Sequence, residues 1–151
     1  YRRQRQMCIE TGVYDRLHQI LPGHPAKLFL LIGVNDISHG LTSDSIVSMI
    51  RTTVERIRKE SPDTRLYLQS LLPINESFGR YKRLTGKTSM IPEINKQLEA
   101  LAKEKGLTYI NLFPLFTEKG SNVLRADLTT DGLHLKEEGY KIWVKAIKKK
   151  I

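Results

Sequence analysis

Residues 27–36 have the sequence KLFLLIGVND, and this stretch decides the fold class. After Lys27, every residue up to Val34 is apolar or glycine, which is typical of a parallel strand covered on both faces. We therefore predict a buried strand over Lys27–Val34. In open parallel sheets, ligands bind beyond the carboxyl ends of the strands. The residues that follow this strand are thus candidates for a functional site.

Strand-like and helix-like segments alternate along the rest of the chain. We predict further strands over Arg65–Leu72 and Leu107–Leu112. Apolar residues at helical spacing, together with capping residues and proline or glycine stops, predict helices over Thr11–Leu21, from Thr42 or Ser43 to Ser61, from about Pro92 to Gly106, and over Lys136–Ile151. This alternation implies a parallel α/β sheet with helices on both faces. Three strands are fewer than such folds usually have.

Length and composition limit the class of protein. The 151 residues, 40% hydrophobic and 27% charged, have the size and balance of one globular domain. No apolar run approaches the roughly 18 residues that span a bilayer, so we expect no integral membrane contact. The single cysteine, Cys8, excludes an internal disulfide and a cysteine-rich zinc site. His18, His24 and His39 lack metal-ligand spacing, and we expect neither a metal nor another cofactor.

The net charge of +9 is concentrated at the two ends of the chain. A nucleic-acid-binding surface would more often combine aromatic and basic residues along one element, so we expect no nucleic-acid partner. A solvated terminal helix and a basic tail are the favoured interpretation, while attraction to anionic substrates or surfaces stays open. In the interior, Asn75–Thr88 is polar, basic and without periodicity. A loop of this length is more often functional or mobile than a plain connector.

The first candidate motif is Gly33-Val34-Asn35-Asp36, at the end of the first predicted strand. Gly33 allows a close backbone approach or unusual dihedral angles. The Asn35 amide could direct two N–H donors at a developing negative oxygen, as an oxyanion hole requires. Equally, Asn35 and Asp36 could simply cap the following turn. The motif alone does not decide between these interpretations.

The second candidate motif is Asp131-Gly132-Leu133-His134, which follows an irregular region over Phe113–Thr130 and precedes the last helix. Because the two residues are three positions apart on one turn, the Asp131 carboxylate could bind one imidazole nitrogen of His134. The other nitrogen would then be free to act as a general base. Taken alone, a capping Asp131 and a solvent-facing His134 would be the simpler interpretation.

Together, in this order and at this separation, the two motifs resemble the SGNH (GDSL-like) hydrolase family, which includes acetylesterases. The resemblance runs from about Gly12 to the C terminus. It includes connecting patterns at Leu66–Pro73, Ile94–Leu98, Tyr109–Leu112 and Gly139-Tyr140. It implies a flavodoxin-like three-layer α/β/α fold over a single domain, residues 1–151.

The resemblance also implies an activity and a set of site residues. The activity is hydrolysis of small-molecule acyl esters, often acetyl esters on carbohydrates or lipids, without a cofactor. His134 would be the base, Asp131 its orienting partner and Asn35 the oxyanion-hole amide. Gly33 and Asp36 would line the site.

One part of the family pattern does not occur in this sequence. The family's nucleophile is a serine just after the first strand, in a Gly-Asp-Ser-like block, and a second block supplies an oxyanion glycine. Neither block is found here, and no serine precedes Ser38. We therefore expect an N-terminally incomplete domain with strands missing from its sheet, and its nucleophile is unknown. Ser38 and Ser70 are poor substitutes because neither lies in a glycine-flanked turn.

Two functions follow from this pattern. The first is a serine esterase of this class that is inactive in this form because it lacks its nucleophile block. The second is a degenerate family member that binds carbohydrate or a protein partner without catalysis. A Gly-Asp-Ser-like segment upstream in the gene would distinguish them. The oligomeric state is open, and Tyr1 in place of an initiator Met slightly favours an exported, periplasmic or extracellular protein over a cytoplasmic one.

Overall fold

The computed structural model describes residues 17–150, except for the side chain of Asn35. Its centre is a three-stranded sheet formed by β1 (Lys27–Leu30), β2 (Arg65–Gln69) and β3 (Thr108–Ile110). The strands lie in the order β1-β2-β3, and both pairings are parallel. The predicted parallel sheet is therefore confirmed, and the structure places β2 at its centre.

All three strands end earlier than the apolar runs predicted. The chain leaves β1 after Leu30, and Gly33 takes a φ of +134°, a conformation that glycine adopts readily. Leu31 and Ile32 are still buried, because the core extends beyond the strand. The apolar pattern indicates which residues are buried. Here burial continues past the last residue that pairs with the neighbouring strand.

Beyond β2 and β3, other partners replace the neighbouring strand. The Ser70 N–H still donates to the Ile110 carbonyl, at 3.0 Å, but the Leu71 N–H donates to the Asn95 side chain, at 2.7 Å. On the other side, the Leu112 N–H donates to Ser70 Oγ, at 2.8 Å. Each polar backbone group is satisfied without extending the sheet.

The helices follow the predicted stops closely. They are α1 (Val34–Ser38), α2 (Ser43–Glu60), α3 (Met90–Lys105), α4 (Phe113–Phe116) and α5 (Glu137–Lys148). Thr42 caps α2 by accepting the Ser45 N–H at 3.1 Å, and Gly106 ends α3 with a φ of +68°. Short 3₁₀ turns occupy Leu21–Gly23, Glu76–Phe78, Lys82–Leu84 and Ala126–Leu128. The predicted helix Thr11–Leu21 is helical over residues 17–20, and its earlier part lies outside the described residues.

Helices cover both faces of the sheet, as predicted. α2 and α3 pack against each other, and Tyr109 of β3 donates its hydroxyl to the Asn95 carbonyl of α3 at 3.2 Å. On the opposite face, Trp143 of α5 donates its indole N–H to Gln69 of β2 at 2.7 Å. The result is the three-layer α/β/α architecture. None of the helices within residues 17–150 is long and apolar enough to cross a membrane.

Asn95 connects α3 to the segment that follows β2. It is buried, its Oδ1 accepts the Leu71 N–H at 2.7 Å, and its Nδ2 donates to the Leu71 carbonyl at 3.1 Å. One side chain thus satisfies both polar backbone groups of Leu71. This contact directs the chain away from the sheet and toward the loop that begins at Asn75.

The Asn95→Ala variant should be substantially less stable than the wild type. Removing the amide leaves a buried N–H and a buried C=O without partners, which should lower the free energy of unfolding by about 2–4 kcal/mol. Urea denaturation followed by circular dichroism measures this difference. Lys96 is exposed at the next position of α3, and Lys96→Ala should lower the free energy of unfolding by less than about 0.5 kcal/mol. Equal effects of the two variants would contradict the role given to Asn95.

Candidate active site

The first motif lies where the chain leaves the carboxyl end of β1. Gly33 is buried, and a β-carbon there would come within 3.3 Å of the Ile46 and Leu71 side chains. Its carbonyl accepts the Ile37 N–H at 3.0 Å, at the start of α1. Asp36 is 1% exposed, so it is part of the buried interior and not of the open surface. The side chain of Asn35 lies outside the described part of the chain, and its role stays a prediction.

The second motif brings its two functional side chains into direct contact. His134 Nδ1 lies 2.8 Å from Asp131 Oδ2. The Asp131 side chain is 15% exposed and the His134 side chain 68% exposed, so the carboxylate is shielded while the imidazole faces solvent. The contact that the paired interpretation requires is therefore present, and His134 also faces solvent, as in the capping interpretation.

Backbone groups fix the orientation of the Asp131 carboxylate. Its Oδ1 accepts the N–H groups of Leu133, at 2.9 Å, and His134, at 2.8 Å. Thr129, itself buried, accepts the Gly132 N–H at 2.9 Å and donates to the His134 carbonyl at 2.6 Å. Asp131 therefore caps the turn with Oδ1 and binds the imidazole with Oδ2.

Tyr81, from the loop after β2, makes a third contact with this pair. Its hydroxyl donates to Asp131 Oδ2 at 3.0 Å and lies 3.3 Å from His134 Nδ1. The Tyr81 and His134 rings meet edge to face, with their centroids 6.0 Å apart. Burial, followed by the hydrogen bond to Asp131, raises the pKa of Tyr81. The phenol therefore remains a neutral donor throughout the physiological range.

The hydrogen bonds determine the charge of Asp131 and the tautomer of His134. Burial by itself raises the pKa of Asp131. The hydrogen bonds from the His134 ring, from the Leu133 and His134 N–H groups and from Tyr81 outweigh burial, and the pKa falls well below its usual range. An ionised carboxylate can only accept hydrogen bonds, so Nδ1 of His134 carries the proton. In the neutral ring, Nε2 then has a free lone pair.

The turn is docked on the loop that follows β2. The Asn75 N–H donates to the Gly132 carbonyl at 2.8 Å. Gly132 has a φ of +87°, and a β-carbon there would lie 2.3 Å from the Asn75 carbonyl oxygen, so no other residue fits. Asn75 Nδ2 also donates to the Leu124 carbonyl at 2.9 Å. Farther along the same loop, the turn at Lys82–Leu84 packs against α1. The loop thus contacts both sequence motifs.

The structure gives other roles to the remaining candidates. Ser70 is fully buried, and its Oγ accepts the N–H groups of Leu112 and Phe113 at the start of α4, so it is a structural hydroxyl. Ser38 ends α1. His18 lies exposed on a helix, while His24 and His39 lie outside the helices and strands. No group of three potential metal-binding side chains occurs among the residues that the structure describes.

Sequence reasoning did not identify Tyr81 or Asn75. The stretch Asn75–Thr88 was predicted to be functional or mobile because it lacks periodicity, but nothing in its pattern selects these two residues. Tyr81 contacts Asp131, fifty positions later in the chain. A single sequence carries no signal for so distant a pairing.

Loss of the Asp131 carboxylate should destabilise the protein in a pH-dependent way. Asp131→Ala removes the hydrogen bonds to two backbone N–H groups and should cost about 2 kcal/mol at neutral pH. Because folding lowers the pKa of Asp131, this stabilisation is complete above the pKa of the unfolded carboxyl, about 4, and is lost as the pH falls toward the folded pKa. Urea denaturation between about pH 2 and pH 8 should therefore show the two proteins converging in acid.

Asp127→Ala is the matched control. Asp127 is exposed and forms a surface ion pair with Arg125, so its removal should change stability much less. A difference between Asp131→Ala and the wild type that stays constant down to the lowest pH would contradict the assignment of a charged carboxylate in the turn.

Solved structures with a similar fold include two described as lipases and an acetyl xylan esterase. A GDSL-like lipase from Bacteroides thetaiotaomicron superposes with a TM-score of 0.81 at 22% identity, over 91% of this chain and 68% of that chain. The lipase/acylhydrolase from Enterococcus faecalis gives a TM-score of 0.71 at 22% identity, over 91% of this chain and 67% of that chain. An acetyl xylan esterase superposes with a TM-score of 0.72 at 21% identity, over 92% of this chain and 74% of that chain. At these identities the likeness shows the fold, and the chain covers about two thirds to three quarters of each of these proteins.

The family comparison includes both motifs in one match. No curated protein sequence matches this chain. The model of the GDSL-like lipase/acylhydrolase family matches residues 8–142, which include the Gly33–Asp36 segment and the Asp131–His134 turn. The structure places these two segments at the same loop, beyond the carboxyl ends of β1 and β2. The chain therefore belongs to the GDSL-like lipase/acylhydrolase family, a family of esterases.

Proposed function

We propose that this domain hydrolyses short acyl esters, with His134 as general base and Asp131 as the residue that orients it. The observation that carries the proposal is the 2.8 Å contact between His134 Nδ1 and an ionised Asp131, on a ring whose other nitrogen faces solvent. A general base needs a free lone pair within reach of the reacting hydroxyl. The Asp131 carboxylate provides it by fixing the proton on Nδ1.

The proposed reaction uses these groups in two steps. His134 Nε2 removes the proton from the attacking hydroxyl, and the charge that develops on the ring is stabilised by the adjacent carboxylate. The same nitrogen then returns the proton to the leaving alcohol, which completes the first step with the acyl group bound to the attacking oxygen. In the second step His134 Nε2 takes a proton from a water molecule that attacks this acyl ester, and passes it to the departing oxygen, so that the acid is released and the hydroxyl is restored. The Asn35 amide, at the start of α1, is proposed to donate hydrogen bonds to the oxyanion of the tetrahedral intermediate. Gly33 and Asp36 would form the wall behind that amide.

The acyl group is proposed to be acetyl or similarly short, on a carbohydrate or a lipid. The acetyl xylan esterase among the similar folds supports an acetylated carbohydrate. At 21% identity that likeness concerns the fold, so the choice of alcohol rests on analogy. Hydrolysis itself is proposed from the Asp131–His134 geometry.

The nucleophile is not assigned to either serine that lies near the site in the sequence. Ser70 Oγ is buried and accepts two backbone N–H groups, so it cannot reach an ester without losing both bonds. Ser38 lies in a helix, not in a strained turn that would expose its oxygen. We therefore propose that these 151 residues alone hydrolyse esters negligibly, because a triad without its nucleophile loses covalent catalysis.

Labelling with a fluorophosphonate, a reagent that modifies activated serines, tests this proposal. The 151-residue chain should remain unlabelled and should not hydrolyse 4-nitrophenyl acetate. The protein expressed from its intact gene should be labelled on a serine outside residues 17–150 and should hydrolyse the ester. There, His134→Ala should lower kcat/KM by at least about 10³-fold, since the base and nucleophile act as a unit.

His39→Ala is the matched control, because His39 is an exposed histidine that we place outside the site. This variant should have a kcat/KM within about twofold of the wild-type value, since surface substitutions have small effects. Labelling that maps to Ser38 or Ser70 would show that the nucleophile was assigned wrongly. Unchanged hydrolysis in His134→Ala would overturn the proposed base.

A further inference from the structure

The loop that carries Tyr81 is strongly basic. Residues 80–87, which we call the basic loop, contain Arg80, Lys82, Arg83 and Lys87 and no acidic residue. Arg80, Lys82 and Arg83 are exposed. Within residues 17–150 none of the four cations forms an ion pair, although other surface cations such as Arg51, Arg56 and Lys105 do. Within the described residues, no ion pair therefore neutralises the charge of this loop.

The basic loop is held in place, unlike an ordinary solvated tail. The Glu76 carboxylate accepts the N–H groups of Gly86, at 2.6 Å, and Thr88, at 3.2 Å, and also the Thr88 hydroxyl. These hydrogen bonds lower the pKa of Glu76, and the one from the Thr88 hydroxyl has the largest effect. Leu84 is buried at the centre of the loop. The Glu76 carboxylate is thus occupied by the loop itself, and the four cations project from a backbone that these contacts hold in place.

The position of the basic loop connects its charge to the candidate active site. Tyr81, between Arg80 and Lys82, contacts both Asp131 and His134. Arg80 lines the same narrow cleft as Asp131 and Gly132. The turn at Lys82–Leu84 packs against α1, which follows Gly33. An ester at His134 would therefore lie beside the loop that carries these cations, with Arg80 at the cleft.

We propose that the basic loop binds an anionic group, a carboxylate or a phosphate, on the substrate of this domain. The inference rests on the proposed function for the ester bond, and it adds that the alcohol or acyl part is acidic. Ordered like charges repel one another, and an anion among them relieves that repulsion. Guanidinium and ammonium groups form charge-assisted hydrogen bonds to carboxylate and phosphate oxygens. A basic rim also raises the local concentration of anionic substrates.

Binding to the 151-residue chain tests the inference without requiring turnover. Three acetyl esters of similar shape serve as probes: neutral 4-acetoxybenzamide, 4-acetoxybenzoate and 4-acetoxyphenyl phosphate. Amide shifts in ¹⁵N NMR spectra give the dissociation constants and the residues affected. At least one anionic probe should bind about tenfold more tightly than the amide, since three exposed ion pairs together are worth about that factor. The shifts should fall on residues 80–87 and around Asp131, and the preference should weaken in salt. Comparison of the two anionic probes distinguishes carboxylate from phosphate.

Two triple variants with the same change in net charge test whether the preference for anionic probes comes from the basic loop or from the overall charge of the protein. Arg80→Gln, Lys82→Gln and Arg83→Gln, combined, should abolish the preference for the anionic probes. Lys148→Gln, Lys149→Gln and Lys150→Gln, combined, remove the same charge from exposed positions at the end of α5 and should preserve it. Equal binding of all three probes, or an equal loss in both triple variants, would overturn the inference.

Hydrolysis of the same probes by the intact-gene protein keeps the two proposals distinguishable. Failure to cleave any of the three esters would count against ester hydrolysis alone. An anionic preference in binding would still support the basic loop. Cleavage of all three esters with equal kcat/KM, together with equal binding, would leave the proposed function intact and refute the role of the loop.

Discussion

The arrangement of the candidate site depends on one close approach between two backbones. The Gly132 carbonyl accepts the Asn75 N–H at 2.8 Å, and only a residue without a β-carbon fits against the Asn75 carbonyl. Asn75 also binds the Leu124 carbonyl and the Ser77 N–H through its side chain. Three segments that are distant in sequence therefore meet at one buried asparagine. Because the turn from Asp131 to His134 contains Gly132, this contact fixes where the imidazole stands relative to the sheet.

A second constraint is electrostatic and acts within the turn itself. Asp131 satisfies two backbone N–H groups with one oxygen and the imidazole and Tyr81 with the other. The capping interpretation and the catalytic interpretation of this residue are thus compatible, because a carboxylate has enough lone pairs for both. The hydrogen bonds that shape the turn also keep the carboxylate charged. Local folding and the proposed chemistry depend on the same group.

Sequence patterns predicted the order and type of the elements well, because apolar periodicity and stop residues are local signals. Thr42, Gly106 and the apolar run after Lys27 each identified an element correctly. The strand ends were missed, because Leu31 and Leu71 are buried by packing and not by pairing. Within the site, Asp131 and His134 are neighbours in sequence, so their contact could be predicted. Tyr81 and Asn75 reach the site only through tertiary contacts, and no local pattern indicates them.

The central claim is that Asp131 holds the proton of His134 on Nδ1 and leaves Nε2 free. Ring ¹⁵N chemical shifts of His134, recorded on the 151-residue chain at about pH 9, where imidazole is neutral, measure this tautomer directly. The account predicts a protonated Nδ1 and an unprotonated Nε2 in the wild type. In Asp131→Asn the amide can donate to Nδ1, and the proton should move to Nε2. A wild-type ring protonated mainly on Nε2 would contradict the account, because that nitrogen could then accept no proton from a hydroxyl.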